Sequence, residues 1–413
     1  MSPLHPHYDV VIVGAGMVGA TLACALTQAP RPASRILLVE ASNIHRDQVE
    51  QPGFDARSTV LSAGSIAYLQ QLDLWQRMAT RASAITHIEV SDQGHFGGVH
   101  LVGADSGVEA LGHVVENASI GQALNAAILE REGLELCSAT EVVTVKPHQA
   151  GMHLALKRAG GEECTITAAL VVLADGGRSG LVQQLGIHIR QESYGQSAVI
   201  ANLALSQPHA GIAYERFTAK GPLALLPLTP FAGKHRMALV WTHPSEQISE
   251  VQQLPEAEFI TRLQQDCGMR AGQILQVGKR AMYPLALQVA EEQFRPHLVL
   301  LGNVAHTLHP VAGQGFNLAL RDAMALAANV RASLQTGSDP GSHQRLAQWW
   351  QEVQSDQLRT ITFSDWMTKL FSSSSIGLSL LRKVGMIGLE LLPPLKQQLA
   401  RQAMGYHPNA VRL

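Results

Sequence analysis

The sequence predicts an α/β protein that opens on a β-α-β unit, continues through a strand-rich middle and ends in helices. Three observations carry this. Tyr8 to Val13 is a short apolar run with the look of a buried strand. A glycine-rich turn and the small, apolar, helically spaced stretch Ala20–Gln28 follow at once, and Arg35 to Glu40 reads as a second strand. Residues from about 190 to 285 are rich in strand formers, and most of the chain from Phe316 onward has helical spacing.

Composition narrows the function classes. The chain has 413 residues, 46% hydrophobic and 15% charged, long enough for two or three domains and too apolar for global disorder. Lys plus Arg is 31 and Asp plus Glu is 33, so no basic excess is available for a nucleic-acid partner. Cys24, Cys137, Cys164 and Cys267 are too widely spaced for a disulfide framework or a zinc knuckle. No signal-peptide core and no membrane-spanning apolar run is evident, so a cytoplasmic location is expected.

The remaining elements follow in order. Gly64 to Met78 reads as a helix, with Ile66, Leu69, Leu72 and Trp75 on one side. Ile85–Val90 and Gly98–Val102 read as strands around a turn, and Ser119–Arg131 as a helix. Leu134 to Ala168 resembles a three-segment meander, followed by an apolar strand at Leu170–Leu173. A helix is expected at Glu256–Cys267, a strand at His297–Leu301, and a long helix at Phe316–Leu334.

The motifs carry the chemistry. Gly14, Gly16 and Gly19 form a GxGxxG between strand and helix. The first glycine permits the tight turn, the second lets a pyrophosphate approach the backbone, and the third lets helix and strand pack closely. Glu40, at the end of the second strand, suits the two hydroxyls of an adenosine ribose and would repel a 2′-phosphate. This pattern indicates a bound dinucleotide without deciding between NAD and FAD. Asp175-Gly176-Gly177 ends a middle strand, and Gly302-Asn303 ends another, before His309-Pro310-Val311-Ala312-Gly313-Gln314-Gly315-Phe316-Asn317 opens a helix. His306 and His309 lack a third ligand at suitable spacing, so no metal site is expected. No serine-nucleophile elbow or Walker lysine is present either.

The three motifs, in that order, resemble the flavoprotein aromatic hydroxylases of the para-hydroxybenzoate hydroxylase fold over residues 8 to 365. Asp55-Ala56-Arg57-Ser58, Ser91 to Gly97 and His309 to Asn317 are most similar to the ubiquinone-biosynthesis hydroxylases. Asn303 replaces the usual Asp of the wider family, as in the branch acting on 2-polyprenyl-6-methoxyphenol. The resemblance implies a Rossmann-like FAD-binding domain (1–84, 107–187 and 281–365), an inserted β-sheet substrate domain (85–106 and 188–280) and C-terminal helices (366–413).

By the same resemblance, Arg57, Gln122, Asp175 and Asn303 contact FAD. Pro310, Gly313, Gly315, Phe316 and Asn317 form the loop and helix start facing the flavin ring. NAD(P)H is expected as a transient co-substrate, O2 as the oxygen source and a prenylated phenol as the substrate. No side chain is singled out as catalytic acid or base, because the cofactor activates the oxygen. Two other readings remain open: a flavin-dependent reductase or oxidase acting on a prenyl lipid, and a non-catalytic scaffold in a quinone-synthesis assembly. Leu223–Leu228 is a candidate lining for a prenyl tail or simply a core strand. Ile376–Leu399 is a candidate amphipathic contact to a membrane or to other biosynthetic proteins, or a helix packed on the cofactor domain.

Overall fold

The computed structural model describes residues 4–30, 34–46, 51, 55, 57–94, 98–309 and 313–372. The chain begins β1 (His7–Val13), α1 (Met17–Leu26), β2 (Ile36–Val39), β3 (Ser58–Ser62), α2 (Ala63–Gln71), β4 (Ala82–Ile85), β5 (His87–Asp92) and β6 (Gly98–Val102). It continues with β7 (Gly112–Glu116), α3 (Asn117–Glu130), β8 (Leu134–Cys137), β9 (Thr140–His148), β10 (Gly151–Arg158), β11 (Glu163–Leu173) and α4 (Leu181–Gln184). Then come β12 (Ile189–Leu205), β13 (Ile212–Thr218), β14 (Gly221–Phe231), β15 (Lys234–Pro244), α5 (Ile248–Gln253) and α6 (Glu256–Cys267). The last elements are β16 (Ile274–Val277), β17 (Ala281–Ala290), β18 (Phe294–Arg295), β19 (Leu298–Leu300), β20 (His306–Thr307), α7 (Gln314–Gln335) and α8 (His343–Ser372).

Among the described residues the strands form three sheets. The first runs β18-β19-β11-β1-β2-β8, extended by β10 and β9. Its four central strands are parallel and almost wholly apolar, as strands covered on both faces must be. One face packs on α1, α3, α7 and α8 through residues such as Leu22, Leu26, Leu124, Leu326 and Trp349. The other packs on β9, β10 and α4.

The second sheet runs β20-β17-β12-β15-β14-β13-β5-β6, with β16 on β12. Helices α5 and α6 cover one face, where Leu223, Leu225, Leu239 and Trp241 meet Phe259 and Leu263. A third sheet, β3-β7-β4, lies between the other two. Glu116 at the end of β7 joins it to the second sheet: Arg236 on β15 donates to both its oxygens at 3.2 and 2.9 Å, and Asn202 on β12 donates at 3.1 Å.

Three elements differ from the sequence reading. The helix expected at Gly64–Met78 stops at Gln71, because Asp73 takes φ +58° and the Leu74 N–H turns back to the Leu69 carbonyl, a left-handed helix stop. The expected meander and the apolar strand after it share one strand, β11, since no turn residue separates Ala168 from Leu170. The third sheet was not foreseen; its strands are four or five residues long and pair across gaps in sequence. Of the expected C-terminal helices, α8 is described to Ser372, and residues 373–413 lie outside the described residues. No described helix is long and apolar enough to cross a membrane.

Candidate cofactor and substrate site

Because β19, β11, β1 and β2 are parallel neighbours, their C-terminal ends lie along one edge. Gly302, Asp175, Gly14 and Glu40 stand within two residues of those four ends. Open α/β sheets bind ligands at that edge, where loops and helix N-termini converge.

Gly14 has φ +99°, and a Cβ there would lie 2.6 Å from Asp175 Cα. A Cβ at Gly19 would lie 1.9 Å from the Gly14 carbonyl oxygen, so these two glycines close the packing of α1 on the strand ends. At Gly16 the same test meets nothing within 4 Å. Gly16 caps α1, whose first N–H groups receive no side-chain cap. Uncapped donors beside vacant space fit a pyrophosphate.

The buried Glu40 carboxylate accepts the Ala15 N–H at 2.7 Å and the Ser42 N–H at 2.9 Å, one on each oxygen. Each oxygen retains acceptor capacity for a ligand hydroxyl. Asp175 is half-buried; its oxygens accept the Gly177 and Ser179 N–H groups at 3.2 and 2.8 Å and hold the turn beside Gly14. Asn303 is exposed, and its side-chain amide has no partner among the described residues.

The start of α7 repeats the α1 pattern. Gly313 caps it at φ +59°, with no side-chain cap, and a Cβ at Gly315 would meet nothing within 4 Å. Phe316 is half-buried and packs on the core under α1 and α7. Asn317 is spent on the protein itself: its oxygen accepts from Ser62 N (2.9 Å) and Ser65 Oγ (2.7 Å), and its nitrogen donates to the Val60 and Gly313 carbonyls (both 2.8 Å). Asn317 therefore sets the angle at which α7 meets β3. Pro310 lies outside the described residues.

Arg57 stands in a three-residue cluster. Its Nε donates to both Asp55 oxygens at 2.8 and 2.9 Å, its guanidinium lies 4.6 Å from the Tyr283 ring centroid, and the Tyr283 hydroxyl donates to Asp55 at 2.8 Å. Burial pushes the Asp55 carboxyl up, but the hydrogen bonds from Arg57 and Tyr283 outweigh it and hold the group below the usual carboxylate value. Gln122, on α3, accepts a hydrogen bond from Arg81 near the surface.

Several groups around the site escaped sequence reasoning. His306 and Asp322 form a buried pair at 2.9 Å, joined by Gln357 at 2.9 Å. Burial raises the Asp322 carboxyl, and the His306 bond opposes this. The buried His309 packs edge-on to Tyr194 at 5.3 Å, and burial lowers its imidazole to about 4, so it is neutral at physiological pH. Tyr283 and Glu215 are isolated polar residues in strand-forming stretches. The signal that finds Glu215 is alternation: Ala213 and Phe217, two positions to either side, are buried. Among the described residues, no three metal-ligating side chains cluster.

A parallel sheet whose C-terminal edge gathers Gly14, Glu40, Asp175 and Gly302, packed through a third sheet against a large second sheet, is the α/β architecture of this chain. The chain belongs to the FAD-binding domain family, whose model matches residues 7–353. It is a FAD-dependent monooxygenase of that family. It is 32% identical over 397 residues to "Ubiquinone hydroxylase UbiL" of Rhodospirillum rubrum, covering 96% of this chain and 89% of the relative. It is 29% identical over 400 residues to "3-demethoxyubiquinol 3-hydroxylase" of Escherichia coli, covering 96% and 98%. Among solved structures, p-nitrophenol 4-monooxygenase from Pseudomonas putida shares the fold, with a TM-score of 0.76 at 15% identity over 97% of this chain and 98% of that one.

Proposed function

We propose that this chain hydroxylates a prenylated phenol intermediate of ubiquinone synthesis, taking electrons from NAD(P)H and oxygen from O2. The observation that carries the reading is a glycine-built sheet edge where a Cβ at Gly16 or Gly315 would meet nothing within 4 Å, adjoining a half-buried apolar row on the second sheet. The named activities of the relatives supply the substrate class. Bound FAD would supply the electron transfer and oxygen activation that no side chain can provide.

In this reading the α1 N-terminus at Gly16 holds the pyrophosphate and Glu40 the adenosine ribose. Asn303, through its unpartnered amide, and Asp175 hold the ribityl and phosphate region. The uncapped N–H groups at Gly313–Phe316 face the flavin edge and stabilise negative charge there. Arg57, fixed by Asp55 and Tyr283, lies between cofactor and substrate, and Gln122 is a more peripheral cofactor contact. Asn317 positions α7.

Incubation of the purified chain with FAD, NAD(P)H and candidate prenylphenols, followed by product mass, tests this. A product one oxygen heavier, with the label derived from 18O2, is expected. Substrate reduction without oxygen insertion would favour the reductase reading instead. Peripheral membrane contact through Ile376–Leu399 belongs to the same proposal, and liposome sedimentation with and without the residues after 375 checks it.

A further inference from the structure

Strand β13 alternates between two environments. Tyr214 joins the cluster beneath α6. Ala213 and Phe217 point to the opposite face, where Ala213 meets Ile85, Val114, Leu228 and Ala238, and Phe217 meets Val90 and Met367. Glu215 lies between Ala213 and Phe217 and shares their face.

Its row across the sheet follows from the register. Glu215 is opposite Val90 on β5 and Ala224 on β14, Ala224 is opposite Val240 on β15, and Val240 is opposite Ile200 on β12. All five are only half-buried, although β13, β14, β15 and β12 are interior strands. The row is a half-buried apolar floor bearing one carboxylate, bordered by the third sheet at Ala213 and by α8 at Phe217. That carboxylate has no hydrogen bond or ion pair among the described residues.

The floor adjoins the cofactor cradle. The cluster around Ala213 includes Val60, and a Cβ at Gly313 would meet Val60 Cβ at 3.0 Å. At the other end, Ile200 is opposite Ala281, and Tyr283, two residues on, carries the Asp55–Arg57 pair on the same face. A carboxylate with no partner among the described residues, on an apolar floor beside the cofactor cradle, has room for a ligand hydroxyl.

We propose that Glu215 is the catalytic base that binds the substrate's phenolic hydroxyl and accepts its proton, an inference resting on the phenol reading above. The phenol O–H bond breaks, its electron pair stays on the oxygen, and the proton passes to a Glu215 carboxylate oxygen. The phenolate then pushes electron density into the ring carbons ortho and para to it, the activation a ring needs before it accepts oxygen.

Burial pushes the Glu215 carboxyl from its ordinary 4.5 up to about 7. A phenol titrates near 10, so the proton transfer becomes less uphill by about the same margin. Charged neighbours do not produce the shift. The titratable groups on the packed elements are Asp92 on β5, His113 on β7, the Glu116–Arg236 and Asp55–Arg57 pairs, and Asp365 with Lys369 on α8. Burial is the one cause acting on Glu215.

The test compares holoenzyme carrying Glu215→Gln or Glu215→Asp with wild type, using 2-methoxy-6-prenylphenol as probe. Flavin absorbance and thermal melting should show both variants folded and loaded. The carboxylate lies about three pH units below the phenol, so the bound probe stays largely protonated in the ground state and the readout is kinetic: the pH profile of hydroxylation should keep an acid limb near pH 7 in wild type and in Glu215→Asp. Hydroxylation by Glu215→Gln should fall about 100-fold in kcat, with the acid limb near pH 7 lost. An unchanged acid limb and a kcat within about threefold of wild type in Glu215→Gln would overturn the assignment. A wild-type enzyme that hydroxylates no phenol but binds the probe more tightly than Glu215→Gln does sinks the substrate reading and leaves the binding role of Glu215 supported. One that neither binds nor hydroxylates phenols sinks both.

Discussion

The two faces of the second sheet share the same strands and have opposite fates. Under α5 and α6, Leu223, Leu225, Leu239 and Trp241 are completely or almost completely buried. One residue away along the same strands, Ala224, Leu226 and Val240 remain half-exposed beside Glu215. The face under α5 and α6 is fully packed, and on the other face the row at Glu215 stays half-buried between the third sheet and α8. The glycines divide the same way. Gly14 and Gly19 are closed against neighbouring backbone, whereas Gly16 and Gly315 look onto vacancy. Where a fold leaves apolar or donor-rich surface unsatisfied in its interior, a ligand is the natural partner.

Four experiments press on this contrast. The largest effect should come from the covered face: Trp241→Ala removes a fully buried indole and should cost about 3–5 kcal/mol in denaturant unfolding. A loss below about 1 kcal/mol would show that the face is not the packed one.

The second concerns pH. Glu215 has a folded value near 7 against 4.5 in a free chain, so between these values the folded state binds the extra proton. Stability from this group is present below about pH 4.5 and declines as pH rises through 7, by on the order of 2 kcal/mol. Glu215→Gln should therefore melt higher than wild type at pH 8 and alike at pH 4. Equal melting at both values would mean that the carboxylate is not desolvated.

Gly16→Val comes third. With open space around it, the variant should fold normally and yet bind FAD about tenfold more weakly, about 1.4 kcal/mol by fluorescence titration. Gly14→Val should instead fail to fold. The smallest change is Leu226→Ala, which should cost about 1 kcal/mol of stability or less while raising the KM for a long-tailed phenol. Leu225→Ala, its neighbour on the covered face, should show the reverse emphasis.

This contrast revises the reading of Leu223–Leu228 as either a tunnel wall or a core strand. Leu223 and Leu225 are core, as the core-strand reading expects, while Ala224 and Leu226 are half-buried on the opposite face. The glycine turn and the acidic residue of the candidate site were legible because their signals are local. Gly14, Gly16, Gly19 and Glu40 act within one β-α-β unit, and each glycine's role follows from its neighbours in the chain. The Asp55–Arg57–Tyr283 cluster was half legible, since Asp55 and Arg57 are two positions apart in sequence and Tyr283 is 228 residues from Asp55. The His306–Asp322–Gln357 network was hidden, because a polar residue on a helical face looks solvated until another helix is packed on it.

The sequence by itself determined the α/β class, the glycine-built cradle and the acidic residue after the second strand, because these depend on backbone geometry over a few residues. Only the tertiary structure decided which face of the large sheet packs under α5 and α6 and that Glu215, on the other, has no partner among the described residues. A strand's alternation sorts side chains into two sets without saying which set water reaches. That choice belongs to α5 and α6, elements that fold onto the sheet from elsewhere in the chain.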